Sequence, residues 1–261
     1  MTDRKGFTAV TEPVSVAVIT GASRGIGRAT AEALAERGLA VFLAAESTPA
    51  ELEAGVAMCR SKGAPEATSG IFDLGRPGEP EAMIAAALQR FGRIDVLINN
   101  AGIRCRKLFG QFTREDFDSV VAVNLAAAFF ASQAAVPAML AQGGGRIVHV
   151  ASQFGTVSGP KQALYGLTKA ALIHLARSMA VELGPRNILV NTISPGPTAT
   201  QFNLDRWATE PDHQTYLANN LPAQRAGTAE EIAEAIAFLA TSKGRFIQGH
   251  DLVVDGGFSI H

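Results

Sequence analysis

Short apolar runs alternate with longer alanine-rich segments along almost the whole chain, and this alternation restricts the fold more than any other feature. Residues 15–20 (S-V-A-V-I-T), 40–44, 67–72, 94–98 (I-D-V-L-I), 146–150 (R-I-V-H-V), 188–193 and 252–254 read as strands. Between them, 29–37, 50–60, 79–91, 114–141, 162–183 and 229–240 have the spacing of helices. Strands that are apolar throughout, not at every second position, are buried on both faces, as in a parallel sheet covered by helices. The alternation therefore predicts an α/β fold: a Rossmann-type doubly wound parallel sheet of about seven strands flanked by helices. Ligands of such sheets bind beyond the C-terminal strand ends, near the point where the strand order reverses.

A chain of 261 residues with 47% hydrophobic and 18% charged residues suits a single folded domain. No composition shift, linker or internal repeat divides it. The expected organisation is an N-terminal tail over residues 1–13 and one Rossmann-type domain over 14–261. Within the domain, the irregular stretch 195–225 is able to cover a site. The net charge of −1, without a basic run, argues against nucleic acid. Cys59 and Cys105 form no framework, and the five histidines have no metal-ligand spacing, so no metal is expected and a reducing cytoplasm fits best. Residues 1–13 lack the apolar stretch of a signal peptide. The segment 120–140 is apolar but interrupted by Asn124, Ser132, Gln133 and Pro137; it reads as a buried helix, not a membrane span.

Directly after the first strand, residues 20–27 read T-G-A-S-R-G-I-G. Gly21, Gly25 and Gly27 give G-x-x-x-G-x-G, looser than the G-x-G-x-x-G fingerprint but resting on the same physics. Glycines let the backbone turn sharply and approach a ligand. The helix that follows aims its unpaired N–H groups at a pyrophosphate. A turn that binds nothing would have the same composition.

Tyr165 and Lys169 stand four residues apart on one helix face. An ammonium beside a phenol favours the phenolate and makes it a usable acid or base near neutrality. The spacing alone also describes an ordinary solvated pair. Ser152, just past the fifth strand and thirteen residues before Tyr165, strengthens the catalytic reading. No G-x-S-x-G elbow surrounds it, which argues against a nucleophile. Asn124 lies inside an apolar helix, where its amide needs a partner; a structural kink and a functional role both fit.

Together these residues resemble the short-chain dehydrogenase/reductase family over about residues 14–257. The glycine loop, the N-N-A-G motif at 99–102, the tetrad Asn124, Ser152, Tyr165 and Lys169, the P-G-x-x-x-T stretch and the terminal D-G-G at 255–257 occur in the family's order. The resemblance implies hydride transfer between a nicotinamide and a small alcohol or carbonyl compound. It implies Tyr165 as proton donor or acceptor and Ser152 as the group polarising the substrate oxygen. Lys169 would bind ribose and lower the tyrosine pKa, and Asn124 would hold a water linking Lys169 to solvent. It further assigns cofactor contacts to Gly21, Ser23, Arg24, Gly25, Ile26, Gly27, Asn100, Ala101, Gly102, Tyr165 and Lys169. Asp73 would contact the adenine, and Pro195, Gly196, Thr198 and Thr200 the carboxamide side. Family members are often tetramers packed through their two long helices, so a homotetramer is expected.

The end of the second strand, A-A-E-S-T at 44–48, leaves NAD or NADP open. Arg24 suits a 2′-phosphate, whereas Glu46 would repel it and could bind ribose hydroxyls; the balance leans to NAD. The covering segment resembles that of members acting on sugars or polyols and, less closely, that of 3-oxoacyl-carrier-protein reductases. For the latter, Arg104, Arg106 and Lys107 could dock an acidic carrier. A non-catalytic nucleotide sensor of the same fold would be marked by loss of Ser152, Tyr165 or Lys169, and all three are present.

Overall fold

The structure, a computed structural model, describes residues 14–208 and 212–260. The expected tail over 1–13 lies outside the described residues. Seven parallel strands form one sheet in the order β3-β2-β1-β4-β5-β6-β7. They are β1 (Val16–Thr20), β2 (Ala40–Ala45), β3 (Ala67–Ile71), β4 (Val96–Asn99), β5 (Gly145–Val150), β6 (Ile188–Pro195) and β7 (Asp251–Val254). The order reverses between β1 and β4, so the crevice expected of a doubly wound sheet opens above their C-terminal ends.

Alternate residues of the central strands β1 and β2 feed opposite faces, which is why these two are apolar almost throughout. Ala17 and Ile19 of β1 pack with Val41 and Leu43 of β2 under one helical layer, formed by α1 (Gly25–Glu36), α2 (Pro49–Ser61) and α9 (Ala229–Thr241). Val18, Phe42 and Ala44 face the other layer, α3 (Glu79–Phe91), α5 (Ala127–Ala141) and α6 (Ala163–Leu183). Ile19, Leu43 and Ile98 are fully buried at the centre. Each such side chain contributes roughly 1.5–3 kcal/mol relative to exposure. The covering segment carries two short helices, α7 (Gln201–Trp207) and α8 (His213–Asn220).

Helix starts follow local chemistry where that chemistry is available. Thr228 and Glu231 close a capping box on α9, and Thr48 accepts from Glu51 N–H at the start of α2. The long helix expected over 114–141 is three pieces: α4 (Arg114–Val121), a π-turn at Ala122–Ala126 and α5. This run has the length and apolarity to cross a membrane, with mean hydropathy 1.7. Part of that apolarity serves the interior, with 39% of the most apolar window buried. Ala127, Ala131, Ala135 and Met139 are buried in the core shared with α3 and the sheet.

Candidate active site

The glycine loop and the N-N-A-G motif meet across the switch point. The N–H groups of Asn100 and Ala101 donate to Thr20 Oγ1 at 2.8 and 2.9 Å. Asn100 Nδ2 donates to the carbonyls of Thr20 (2.8 Å) and Gly21 (3.2 Å). Gly21 and Gly25 turn through positive φ, +63° and +56°. A Cβ at Gly27 would lie 2.3 Å from the Gly21 carbonyl oxygen and 2.5 Å from Asn100 Nδ2. Gly27 is thus required for close packing of α1 on the loop, while Gly21, Ser23, Arg24, Gly25 and Ile26 line the cleft itself.

That cleft, about 380 Å³, runs along the C-terminal strand ends. At one end stand Arg24 and Glu46, both exposed. Asn100, Ala101 and Gly102 form the middle, and Ser152, Tyr165, Lys169, Pro195, Gly196, Thr198 and Thr200 the other end. The start of α1 has no acidic residue in its first turn and no side-chain cap, leaving its N–H groups available to an anion. These features fit an elongated dinucleotide with a central pyrophosphate.

Two residues assigned by resemblance, Asp73 and Asn124, do not line the cleft. Asp73 holds Arg76 at 2.8 Å and accepts from Gly75 N–H at 3.1 Å, while Phe72, Leu74 and Gly75 form the lining there. Asn124 is buried in the π-turn. Its Oδ1 accepts from Ile103 N–H at 2.7 Å, and its Nδ2 donates to Ile103 O (2.9 Å) and Thr168 Oγ1 (3.2 Å). It fixes the backbone just after N-N-A-G. A Cβ built on Gly102 would meet Asn124 Oδ1 at 3.4 Å and Lys169 Nζ at 3.5 Å, so the two side chains border the same small space.

Tyr165, Ser152 and Lys169 come together as the spacing predicts, all of them buried. Lys169 Nζ donates to Val150 O at 2.7 Å and sits 5.6 Å from the centre of the Tyr165 ring. Burial raises the Tyr165 pKa, but Lys169, Arg104 and hydrogen bonds from Arg104 and Ser152 outweigh it, leaving the phenol below its usual value. Burial likewise lowers the pKa of Lys169.

Arg104 and Asn203 line the same end of the cleft and were not assigned to the site from the sequence. The Arg104 guanidinium lies over the Tyr165 ring, 4.7 Å from its centre, and Nη1 donates to Asn203 Oδ1 at 3.1 Å. The basic patch expected over 104–107 is therefore divided. Arg104 turns into the cleft, Lys107 pairs with Asp116, and Arg106 stays exposed.

Comparison with known proteins decides the family. The profile described as enoyl-(acyl carrier protein) reductase matches residues 21–259. A 3-oxoacyl-[acyl-carrier-protein] reductase of Vibrio cholerae is 36% identical over 242 residues, 93% of this chain and 96% of that protein. A short-chain alcohol dehydrogenase structure from Sinorhizobium meliloti, described as putative in its own name, superposes with a TM-score of 0.89. It is 32% identical, over 94% of this chain and 96% of that one. The chain is a short-chain dehydrogenase/reductase. As a member of that family it is an NAD(P)-dependent oxidoreductase. The structure of an acetoin dehydrogenase of Salmonella typhimurium superposes on this chain with a TM-score of 0.85 and 32% identity, over 95% of this chain and 98% of that one.

Proposed function

We propose that the enzyme reduces 3-oxoacyl thioesters to 3-hydroxyacyl thioesters, with NADH in preference to NADPH as the hydride donor. The observation that carries the reaction class is the convergence of Ser152, Tyr165 and Lys169 on one end of a dinucleotide-shaped cleft. The oxoacyl substrate rests on similarity to the Vibrio cholerae reductase across 93% of the chain. The expectation of a sugar or polyol substrate gives way to it, because the relatives named above are called oxoacyl and acetoin enzymes.

In this reading the bound nicotinamide supplies hydride exchange at the substrate carbon. Ser152 donates to the substrate oxygen, and Tyr165 gives it the proton in reduction or takes one in oxidation. Lys169 keeps the phenol acidic and holds ribose. Asn124 keeps the loop after N-N-A-G closed over Lys169, beside the space where a relay water would stand. Gly21, Ser23, Gly25 and Ile26 receive the pyrophosphate. Pro195, Gly196, Thr198 and Thr200 hold the carboxamide side, and Asp73 contributes through the turn that carries Phe72 and Leu74.

Glu46 lines the cleft at the end of β2, so a 2′-phosphate there would meet a carboxylate, with exposure to solvent weakening the repulsion. Binding titrations by nicotinamide fluorescence should give at least about tenfold tighter NADH than NADPH, about 1.4 kcal/mol. Glu46→Gln should narrow the gap. Oxidation of the preferred cofactor with an acetoacetyl thioester then tests the substrate. No turnover of any 3-oxoacyl thioester, alongside reduction of NAD by a polyol such as sorbitol, would reverse the reading.

We propose self-association through the face shared by the π-turn, α5 and α6. Leu125, Phe129, Phe130, His174 and Leu175 line a shallow apolar depression there, with Phe129 and Phe130 nearly half exposed. The proposed homotetramer predicts a fourfold mass by sedimentation at micromolar concentration. A species of about 27.3 kDa would reject it.

A further inference from the structure

Two cations, not one, act on the tyrosine. Lys169 belongs to the same helix as Tyr165, one turn on. Arg104 comes from the loop after β4 and presents its guanidinium to the ring face at 4.7 Å. We propose that Arg104 is a positioning residue for the reaction, a second cation that holds the Tyr165 phenol as a base and ties it to the covering segment through Asn203. The proposal rests on Tyr165 being the proton-transfer group, and is independent of the substrate assigned above.

The geometry fixes both halves. Asn203 is buried, and its amide spans two structures: Oδ1 accepts from Arg104, and Nδ2 donates to Thr198 O at 2.8 Å. Thr198 in turn donates to Gly196 O at 3.0 Å, and it pairs in register with Gly227, just past the far end of the covering segment. A displacement of α7 would therefore pull on the guanidinium above the Tyr165 ring. A planar fork suits this position because it can lie over the aromatic face and still donate sideways, which an ammonium cannot do.

The charged and titratable groups facing the phenol among the described residues are few. Its own helix supplies Lys169, the loop after β4 supplies Arg104, and the end of β5 supplies the uncharged Ser152. His149 on β5 lies near Lys169 and is held neutral by burial, and the covering segment offers the uncharged Asn203. Removing Arg104 thus removes one of two positive charges and one hydrogen-bond donor from the phenol.

The sequence holds two tyrosines, Tyr165 and Tyr216, so in a Tyr216→Phe background the ultraviolet absorbance of tyrosinate reads Tyr165 alone. Arg104→Gln in that background should raise the titration midpoint by about one pH unit or more, in the range that neighbouring opposite charges produce. Arg104→Lys should recover part of the shift, since it restores charge without the fork. Asn203→Ala should move the midpoint less than Arg104→Gln does while raising KM, because it loosens the link and leaves the charge. In the oxidation direction, the pH at which kcat/KM reaches half its plateau should follow the same ranking. Midpoints that coincide in the parent, Arg104→Gln and Arg104→Lys proteins would overturn the proposal. The titration needs neither substrate nor cofactor, so a wrong substrate would show only as missing turnover and would leave this result readable.

Discussion

Tyr165→Phe should lose about a thousandfold in kcat while binding nicotinamide cofactor within about twofold of the parent protein, the range expected when a positioned acid–base group is removed. The substitution deletes one oxygen. The ring stays beside Lys169 and Arg104, and the cleft wall keeps its shape. The two cations then have no phenol oxygen to act on, and Ser152 alone cannot carry a proton from the substrate oxygen to the relay. Steady-state turnover and fluorescence titration of bound NADH separate the two effects. Retention of more than about a tenth of kcat would remove Tyr165 from the chemistry. Loss of cofactor binding would show instead that the hydroxyl is needed to form the site.

The reason Tyr165, Lys169 and Ser152 could be found without a structure is that their positions are set locally. Two lie one turn apart on a helix, and the third ends a strand whose apolar run is plain in the sequence. The parallel sheet was legible for a similar reason: strands buried on both faces are apolar without interruption, as β1 and β2 are. Boundaries were less visible. The helical spacing begins at residue 29, whereas α1 begins at Gly25, because two of its first three residues are glycines and its N-cap, Arg24, makes no capping bond. Glycine composition reads as a turn even when tertiary contacts wind it into a helix. The strand β6 also runs two residues past its expected end, to Pro195.

Long-range geometry was the part that the sequence could not express. Asn124 was open between kink and function; it sits in the π-turn and bonds both backbone groups of Ile103, twenty-one residues away. Arg104 reads in sequence as one of three loop cations, and nothing local says which of them turns inward. Its direction follows from Asn203, ninety-nine residues on, and from the ring of Tyr165 beneath it. Asp73 shows the converse. Its place after the third strand matches the family pattern, yet the orientation of its carboxylate depends on Arg76 and Gly75, which the pattern does not include.

The second large effect concerns stability in mild acid and originates in His149. This residue is fully buried on β5, with Nδ1 3.1 Å from Asn99 Nδ2, which itself donates to Ser132 Oγ at 3.0 Å. Burial, with a further contribution from Lys169, takes its pKa from 6.5 down to about 3. The unfolded chain therefore binds a proton at pH 5 that the folded protein refuses. Stability associated with this group is intact above about pH 6.5 and is lost as pH falls from there toward 3. At about 1.4 kcal/mol per pH unit, the loss reaches about 2 kcal/mol by pH 5, worth roughly 4–8 °C in Tm for a domain of this size. His149→Asn keeps a polar partner for Asn99 and removes the titration. Its Tm should fall several degrees less than that of the parent between pH 7 and pH 5. Equal slopes would mean that His149 takes up its proton inside the fold. That would place a third cation near the phenol, on the strand beside Lys169, and would lower the Tyr165 pKa further in mild acid.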